Sequence, residues 1–420
     1  MKKITYSGMK IFNHSFMLPL DYNNPSLGKI EIFAREVYSK KKNSSHLPYL
    51  VYLQGGPGYE SPRPITNSGW LKYALKYYRV LFLDQRGTGN STPINYESLS
   101  KLNTEQAANK ISLYRADNIV RDAEEIRKKL IKNQKWSILG QSFGGFCATH
   151  YLSYFQDSLE RVFITGGLPP LEAHPDQIYK RTYKRVQDKN LEFYKIFPQA
   201  KNNSKKIAEF LINNKIYLPN NDLLSVERFQ QLGLNLGFSD GMATLNYLFE
   251  NAFTGGKLSY SFLKNIMSLQ SFDTNPFFTI LHEACYAQNF ATNWSAQRIR
   301  GEMKQFDPTK DDFLFTGEML FPWMMDIYQE LLPYKKIADT LAMKTDWPSL
   351  YDKSTLQKNK VPVAAAVYTN DMFVDRDYSL ETASHIKDIK IWETNELEHN
   401  GLRSAGEKVL KNLFKRLEVE

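Results

Sequence analysis

The sequence predicts an α/β protein with a mostly parallel, doubly wound sheet that is interrupted by one helical insertion. Short apolar runs alternate with helical patterns over the first 170 residues, the pattern becomes helical from about residue 171 to 345, and apolar runs then return. Such alternation is typical of parallel sheets, whose strands are buried on both faces and read as continuous apolar runs. We therefore divide the chain into a first core part (1–170), a helical cap domain (171–345) and a second core part (346–420).

The first core part contains two kinds of predicted strand. Residues 16–20 and 29–33 flank a turn-rich segment and predict a leading antiparallel pair. Four short apolar runs follow, at 50–53, 80–83, 137–139 and 162–164, and we expect them to be buried strands. Between the second and third runs, apolar residues at 119, 123, 126 and 130 recur at helical spacing.

The cap and the second core part follow. The cap is rich in Tyr, Phe, Asn and Lys and has no recurring strand runs, and we expect Ser204 to be the N-cap of one of its helices. Strands are predicted again at 361–368 and 389–392, and apolar residues at 409, 410, 413, 414 and 417 predict a closing helix. The cap is thus inserted between two parts of one core.

Composition restricts the partners and the location. The net charge of +9 is spread along the chain, so we expect no nucleic-acid partner. No apolar run approaches the ~20 residues of a membrane span, and the first residues lack the apolar stretch of a signal peptide. We therefore expect no membrane partner and a cytoplasmic location. Cys147 and Cys285 are the two cysteines, which provide neither a disulfide framework nor a zinc site.

Ser142 is at the centre of the clearest chemical motif. It lies between Gly140 and Gly144, after an apolar strand run and before a predicted helix. A serine in a strained turn between strand and helix needs neighbours without side chains two residues away on each side. Its hydroxyl is then exposed at a helix N-terminus, where backbone N–H groups favour developing negative charge. The motif predicts that Ser142 is a nucleophile.

A serine nucleophile needs a base and a group that orients the base. Of the seven histidines, His399 is the one in a loop after the last predicted strand, and Asp371 follows the strand before it. Serine, acid and histidine then occur in the chain order expected for a nucleophile on such a turn. Asp375 and Asp377 are rival acids. We expect a triad of Ser142, Asp371 and His399.

Stabilising an oxyanion requires two preorganised donors. We expect one to be the backbone N–H of Phe143, directly after the nucleophile, and the other that of Gly56 in the glycine-rich segment 54–58. The neighbouring Pro57 has no N–H. The segment 84–91 resembles a phosphate loop only superficially, because no lysine follows its last glycine, and we interpret it as a turn that shapes the site.

Five segments together carry a family resemblance: 54–58, 84–91, 140–144, 370–375 and 398–403. In combination they resemble the prolyl aminopeptidase (proline iminopeptidase) family, specifically its longer bacterial branch, and the resemblance spans the whole chain. The first three segments are shared by many α/β-hydrolases, whereas the last two make the combination specific. The resemblance implies the α/β-hydrolase fold. Two positions differ from shorter members of the family: Gln54 stands where they have His, and Phe143 stands where they often have Trp. Both changes leave the backbone donors intact but could alter the pocket wall.

The resemblance also implies an activity. Such enzymes remove an N-terminal proline, so the implied partners are short peptides that begin with proline. It further implies that carboxylates of the cap bind the free amine of the substrate. Glu283 is the better match by order and local pattern, Glu250 is the second, and Glu318 is a third candidate.

We therefore predict a serine aminopeptidase that needs no metal or cofactor. A triad alone does not choose amides over esters, so a carboxylesterase or lipase-like hydrolase of the same fold remains an alternative. A non-catalytic member that binds a ligand under the cap is a second alternative, against which the ordered triad argues. Epoxide hydrolases and dehalogenases are disfavoured because they have aspartate at the nucleophile position.

Overall fold

The computed structural model describes residues 3–41, 44–270, 272 and 275–419. Its strands are β1 (Lys3–Tyr6), β2 (Met9–Pro19), β3 (Lys29–Ser39), β4 (Tyr49–Leu53), β5 (Arg79–Leu83), β6 (Trp136–Gln141), β7 (Leu159–Thr165), β8 (Phe253–Thr254), β9 (Lys257–Leu258), β10 (Val363–Tyr368) and β11 (Lys390–Thr394). Nine of them form one sheet in the order β1-β2-β3-β5-β4-β6-β7-β10-β11. The pairs from β1 to β5 are antiparallel, and the pairs from β5 to β11 are parallel.

This sheet confirms the predicted fold class. Every strand predicted from an apolar run is present, and the leading antiparallel pair is longer than the sequence suggested. The sequence analysis missed β1, because its four residues are exposed and Ile4 and Tyr6 alternate with polar residues, so no continuous apolar run marks the strand.

The helices pack on the sheet and form the cap. They are α1 (Gly69–Ala74), α2 (Tyr96–Leu99), α3 (Thr104–Ser112), α4 (Ala116–Ile131), α5 (Phe143–Tyr154), α6 (Pro175–Ile196), α7 (Pro198–Asn213), α8 (Val226–Gln230), α9 (Gly241–Glu250), α10 (Tyr260–Leu269), α11 (Pro276–Leu281), α12 (Ser295–Glu302), α13 (Met324–Ile327), α14 (Lys335–Met343), α15 (Lys353–Gln357), α16 (Arg376–His385), α17 (Gly401–Ser404) and α18 (Gly406–Arg416). Among the described residues, no helix is both long and apolar enough to cross a bilayer.

Apolar side chains cover both faces of the sheet. Along β4, Val51 and Leu53 join one buried cluster, together with residues of α4 and α5. Leu50 and Tyr52 point the other way and join a second cluster with residues of α1 and α18. Because β4 is buried on both faces, it appears in the sequence as a continuous apolar run.

The cap segment, residues 171–345, is mostly helical and lies between β7 and β10 in the chain. It also contains the short β8–β9 hairpin, which the sequence analysis did not predict. Ser204 is not an N-cap as expected. It lies inside α7, which begins at Pro198, a residue whose fixed φ suits the first position of a helix.

Arg115 joins the cap to the core. This buried side chain, at the N-terminus of α4, donates hydrogen bonds to the carbonyls of Ala284 and Ala287 at 3.0 and 2.6 Å. Such contacts hold the cap over the carboxyl edge of the sheet. The division into separate domains at residues 170 and 345 stays a prediction.

Candidate active site

The turn around Ser142 has the geometry that its glycines predict. Ser142 follows β6 with φ 53° and ψ −123°, a conformation that L residues rarely adopt, and α5 begins at the next residue. A Cβ on Gly140 would lie 2.4 Å from the carbonyl oxygen of Gly144, and a Cβ on Gly144 would lie 1.9 Å from that of Leu53. Both positions therefore require glycine, and the turn presents the serine at the carboxyl edge of the sheet.

The structure brings together the three residues predicted to form a triad. His399 Nε2 lies 2.9 Å from Ser142 Oγ, and His399 Nδ1 lies 2.7 Å from Asp371 Oδ2. Asp371 follows β10 and His399 follows β11, so all three residues extend from the carboxyl ends of parallel strands. They are separated by up to 257 positions in sequence and are buried.

Asp371 is oriented by its own loop. Its Oδ1 accepts hydrogen bonds from the N–H groups of Phe373 and Val374 at 2.8 and 3.1 Å, which leaves Oδ2 for His399. The rival Asp375 has a different role. It caps α16 and forms ion pairs with arginines of α6. The other rival, Asp377, is exposed and pairs with the same arginines.

The environment of His399 favours its protonated form. Burial lowers the pKa of His399, but the charge of Asp371 and its hydrogen bond, together with Glu318 and Glu398, outweigh burial and raise the pKa above its ordinary value of 6.5. Phe373 packs against the imidazole with ring centroids 4.5 Å apart. A proton taken from the serine would therefore be stabilised on this histidine.

Both expected oxyanion donors lie beside the serine. Phe143 is the first residue of α5, so its N–H has no acceptor within the helix. Gly56 lines the cleft that contains the nucleophile. A Cβ on the preceding Gly55 would lie only 3.0 Å from the Cβ of that serine, so glycine permits this close approach.

The turn at 84–91 holds the loop that follows β4. Asp84 is fully buried and accepts hydrogen bonds from the N–H groups of Ser61 and Asn90 and from the guanidinium of Arg63. Because Arg63 lines the cleft, this turn shapes the site without contacting the triad.

A cleft of about 850 Å³ opens over Ser142 and His399. Its volume is within the usual range for small-molecule sites. Its apolar lining comes from both the core and the cap and includes Tyr59, Trp70, Phe238, Phe272, Phe278 and Phe373. Such a lining suits an apolar ring next to the reactive carbonyl.

Glu318 is the cap carboxylate that lines this cleft. It keeps 16% of its side-chain surface exposed, and no hydrogen-bond donor reaches its carboxyl among the residues that the structure describes. His282 Nε2 lies 3.9 Å away, but burial lowers the pKa of that histidine to about 4, so it is neutral at pH 7. Burial raises the pKa of Glu318 to about 8, with a lowering effect of His399 and a raising effect of Asp371. When His399 is neutral, as the attack by serine requires, the carboxyl lacks a cationic partner within the described part of the chain.

Glu283, the preferred candidate for binding the substrate amine, lies away from this cleft in the structure. Its two carboxylate oxygens accept hydrogen bonds from the N–H groups of Ser295 and Ala296 at 3.1 and 2.9 Å, at the start of α12. Burial raises the pKa of Glu283 to about 7 despite these bonds. Because its oxygens accept these hydrogen bonds and it does not line the cleft, we interpret Glu283 as a residue that stabilises the cap.

Glu250 also lies away from the cleft. It is the last residue of α9, is exposed, and accepts a hydrogen bond from Asn246 one turn earlier. An exposed carboxylate on a helix end is solvated and contacts none of the triad residues. Of the three predicted glutamates, the structure therefore brings only Glu318 to the nucleophile.

Sequence reasoning missed three residues of the cleft. Phe373 packs on the imidazole, Asn400 accepts a hydrogen bond from the N–H of Ser239 in the cap, and Arg403 lines the cleft near its mouth. All three lie within four positions of Asp371 or His399 in sequence, and this proximity was the signal that could have revealed them.

The fold and the site define a class of protein. A serine, a histidine and an aspartate joined by hydrogen bonds at the carboxyl edge of a doubly wound sheet are the arrangement of the α/β-hydrolases. In agreement, residues 48–204 match a family model described as alpha/beta hydrolase fold.

Curated relatives identify the family within that class. The chain is 49% identical to a proline iminopeptidase from Aeromonas sobria, over 96% of this chain and 95% of that protein. It is 35% identical to a proline iminopeptidase from Aspergillus aculeatus, over 95% of this chain and 92% of that protein. The solved structure of a proline iminopeptidase from Mycobacterium smegmatis is 12% identical and covers 97% of this chain and 100% of its own, with a TM-score of 0.46. On the two sequence matches, the chain belongs to the proline iminopeptidase family.

Proposed function

We propose that the protein is a serine aminopeptidase that releases N-terminal proline from short peptides. Ser142 attacks the carbonyl of the proline residue, and His399 takes the serine proton and then delivers it to the leaving amine. Asp371 holds the imidazole and stabilises its charge, and the N–H groups of Gly56 and Phe143 donate to the oxyanion. Water then releases proline from the acyl-enzyme by the same steps. The mechanism uses no metal or cofactor.

One observation carries the choice of an aminopeptidase: the carboxyl of Glu318 lies in the same cleft as Ser142 and, when His399 is neutral, has no cationic partner among the described residues. A buried carboxylate without a partner is costly, which is why its pKa is raised. The N-terminal amine of a proline peptide is a secondary ammonium near neutral pH and would supply the missing cation. We therefore assign recognition of this amine to Glu318.

The apolar lining supports a proline ring as the group next to the amine. Phe278 and Phe373 line the cleft together with Glu318. A pyrrolidine ring could pack against these aromatic rings while its nitrogen faces the carboxylate. The relatives named above are proline iminopeptidases, which agrees with this substrate. A cytoplasmic location remains part of the proposal.

The test compares three substrates: a proline anilide with a free amine, its N-acetyl derivative, and a short-chain neutral ester. We expect the free amine to be cleaved best, and Glu318→Gln to lower kcat/KM for it at least tenfold while changing ester hydrolysis far less. Glu250→Gln removes an exposed carboxylate of the same cap and is the matched control. Equal cleavage of the acetylated and free anilides would contradict the proposal and favour the carboxylesterase alternative.

A further inference from the structure

Among the described residues, three acidic or basic side chains line the cleft besides His399: Arg63, Glu318 and Arg403. Arg63 is already neutralised, because its guanidinium pairs with Asp84 and Glu60 at 2.9 and 2.8 Å. Arg403 differs from it. No acidic side chain pairs with Arg403 among the residues described by the structure, although its side chain is exposed at the cleft.

Arg403 is positioned by the cap and not by a counter-ion. Its guanidinium carbon lies 5.2 Å from the ring centroid of Phe238, within the range of a cation–π contact. Phe238 in turn stacks on Phe373, with centroids 5.5 Å apart, and Phe373 packs on His399. A row of stacked rings thus connects the guanidinium to the catalytic base and leaves its N–H groups available.

The two charges without partners lie at different depths of the cleft. Glu318 is largely buried and lies 3.9 Å from the buried His282, whereas Arg403 is exposed. A short peptide with free termini has the opposite arrangement, with an ammonium at its first residue and a carboxylate at its last. Since a residue of extended chain spans about 3.5 Å, a peptide of two or three residues brings these charges within one cleft of this size.

We propose that Arg403 binds a carboxylate on the leaving part of the substrate, normally the C-terminal carboxylate of a di- or tripeptide. The inference rests on the proposed function and adds a preference for short peptides with a free C-terminus. Arginine suits this role because its planar fork can donate two hydrogen bonds to one carboxylate. The same chemistry is offered by an acidic side chain directly after the proline, so the test includes both sources.

The test measures the release of proline from prolyl-glycine, prolyl-glycinamide and prolyl-aspartamide with an uncharged C-terminus. We expect wild-type kcat/KM to be about fivefold higher for prolyl-glycine (the acid) than for prolyl-glycinamide (the amide), which is the size expected of an exposed charge pair. The two kcat/KM values should approach each other as salt is added, because salt screens this pair. Arg403→Gln should reduce this ratio to about one, and Arg403→Lys should retain part of it because the charge remains without the fork. Lys411→Gln removes an exposed positive charge outside the cleft lining and should keep the wild-type ratio.

The outcomes separate the two proposals. If wild type releases no proline from any of the three peptides and does not cleave proline anilide, the proposed function fails. If it cleaves all of them but Arg403→Gln leaves the acid-to-amide ratio unchanged, the function stands and the role of Arg403 is refuted. If prolyl-aspartamide has the advantage and Arg403→Gln removes it, Arg403 binds a side-chain carboxylate and its assignment to the chain terminus is overturned.

A structural role for Arg403 would not reproduce these effects. The leaving part of the peptide is absent once the acyl-enzyme has formed, so its carboxylate acts on acylation and on kcat/KM but not on deacylation. A general disturbance of the cleft would lower kcat/KM for the acid and the amide alike.

Discussion

Glu318→Gln should change the pH dependence of the enzyme as well as its rate. Burial raises the pKa of Glu318 to about 8, so at pH 7 its carboxyl is mostly protonated before substrate binds. Forming the carboxylate at pH 7 therefore costs about 1.4 kcal/mol, or a factor of about ten, for a difference of one pKa unit. The productive complex needs both this carboxylate and a neutral His399, so two protons must leave the free enzyme.

The expected profile follows from that proton count. For a proline anilide, kcat/KM of the wild type should rise at low pH by up to about two decades per pH unit, and it should fall again when the substrate amine, with a reference pKa of ~8, loses its proton. For a neutral ester, only His399 must be deprotonated, so the slope should be about one decade. Glu318→Gln should show the slope of about one decade with both substrates.

The assay is kcat/KM for both substrates across the range in which each variant stays folded, with Glu250→Gln measured in parallel. The reasoning would be refuted if the low-pH slope of log kcat/KM against pH for the anilide were the same in wild type and in Glu318→Gln. Stability gives an independent readout. The folded-state pKa of Glu318 is above its ordinary value of 4.5, so this residue makes wild-type stability fall as pH rises from about 4.5 to about 8, and Glu318→Gln should remove that part of the decline.

The remaining predictions concern the triad and the cap. Ser142→Ala and His399→Ala should stay folded by circular dichroism and lose several orders of magnitude in proline anilide turnover, since triad members act as a unit; near-normal turnover in either would contradict their roles. Asp371→Asn should be similarly severe because an amide cannot stabilise the imidazolium. Asp375→Asn keeps a good N-cap but loses the charge that pairs with the arginines of α6, so it should lower the melting temperature and leave most of the turnover; the opposite pattern would move the acid role to Asp375. Glu283→Gln should lower the free energy of unfolding, measured with urea, by about 1–3 kcal/mol, because one N–H at the start of α12 would lose a good acceptor. A large loss of kcat/KM without loss of stability would instead support Glu283 as an amine-binding residue.

The contact between the three predicted triad residues could be expected from sequence because strand order determines where they meet. In a parallel sheet the carboxyl ends of neighbouring strands lie at one edge, so residues that follow β6, β10 and β11 must approach one another. Ser142, Asp371 and His399 each come within a few residues of such an end. The apolar runs that mark these strands are continuous, and this made both the elements and the site predictable.

The cap was predictable in kind but not in detail. The carboxylate oxygens of Glu283 accept hydrogen bonds from N–H groups 12 and 13 positions further along the chain, and no local sequence pattern predicts these bonds. Glu318 lies in an irregular segment between helices, where no periodicity indicates which way a side chain points. Tertiary packing decides which of these glutamates faces the cleft, and a ranking from sequence alone therefore could not single out Glu318.

The position of Glu318 also bears on why the enzyme would act on chain ends. Its carboxyl lies 3.9 Å from His282, which is buried and neutral, and Phe278 lines the same cleft. A peptide that continued beyond the proline nitrogen would have to enter this packed region, and its uncharged amide would leave the carboxyl of Glu318 without a cation. An N-terminal proline has no residue before its nitrogen that would have to enter the packed region, and its ammonium can pair with the carboxylate of Glu318. If Glu318 binds the amine as proposed, shape and charge would both exclude internal prolines, and we expect the acetylated anilide to be rejected for both reasons.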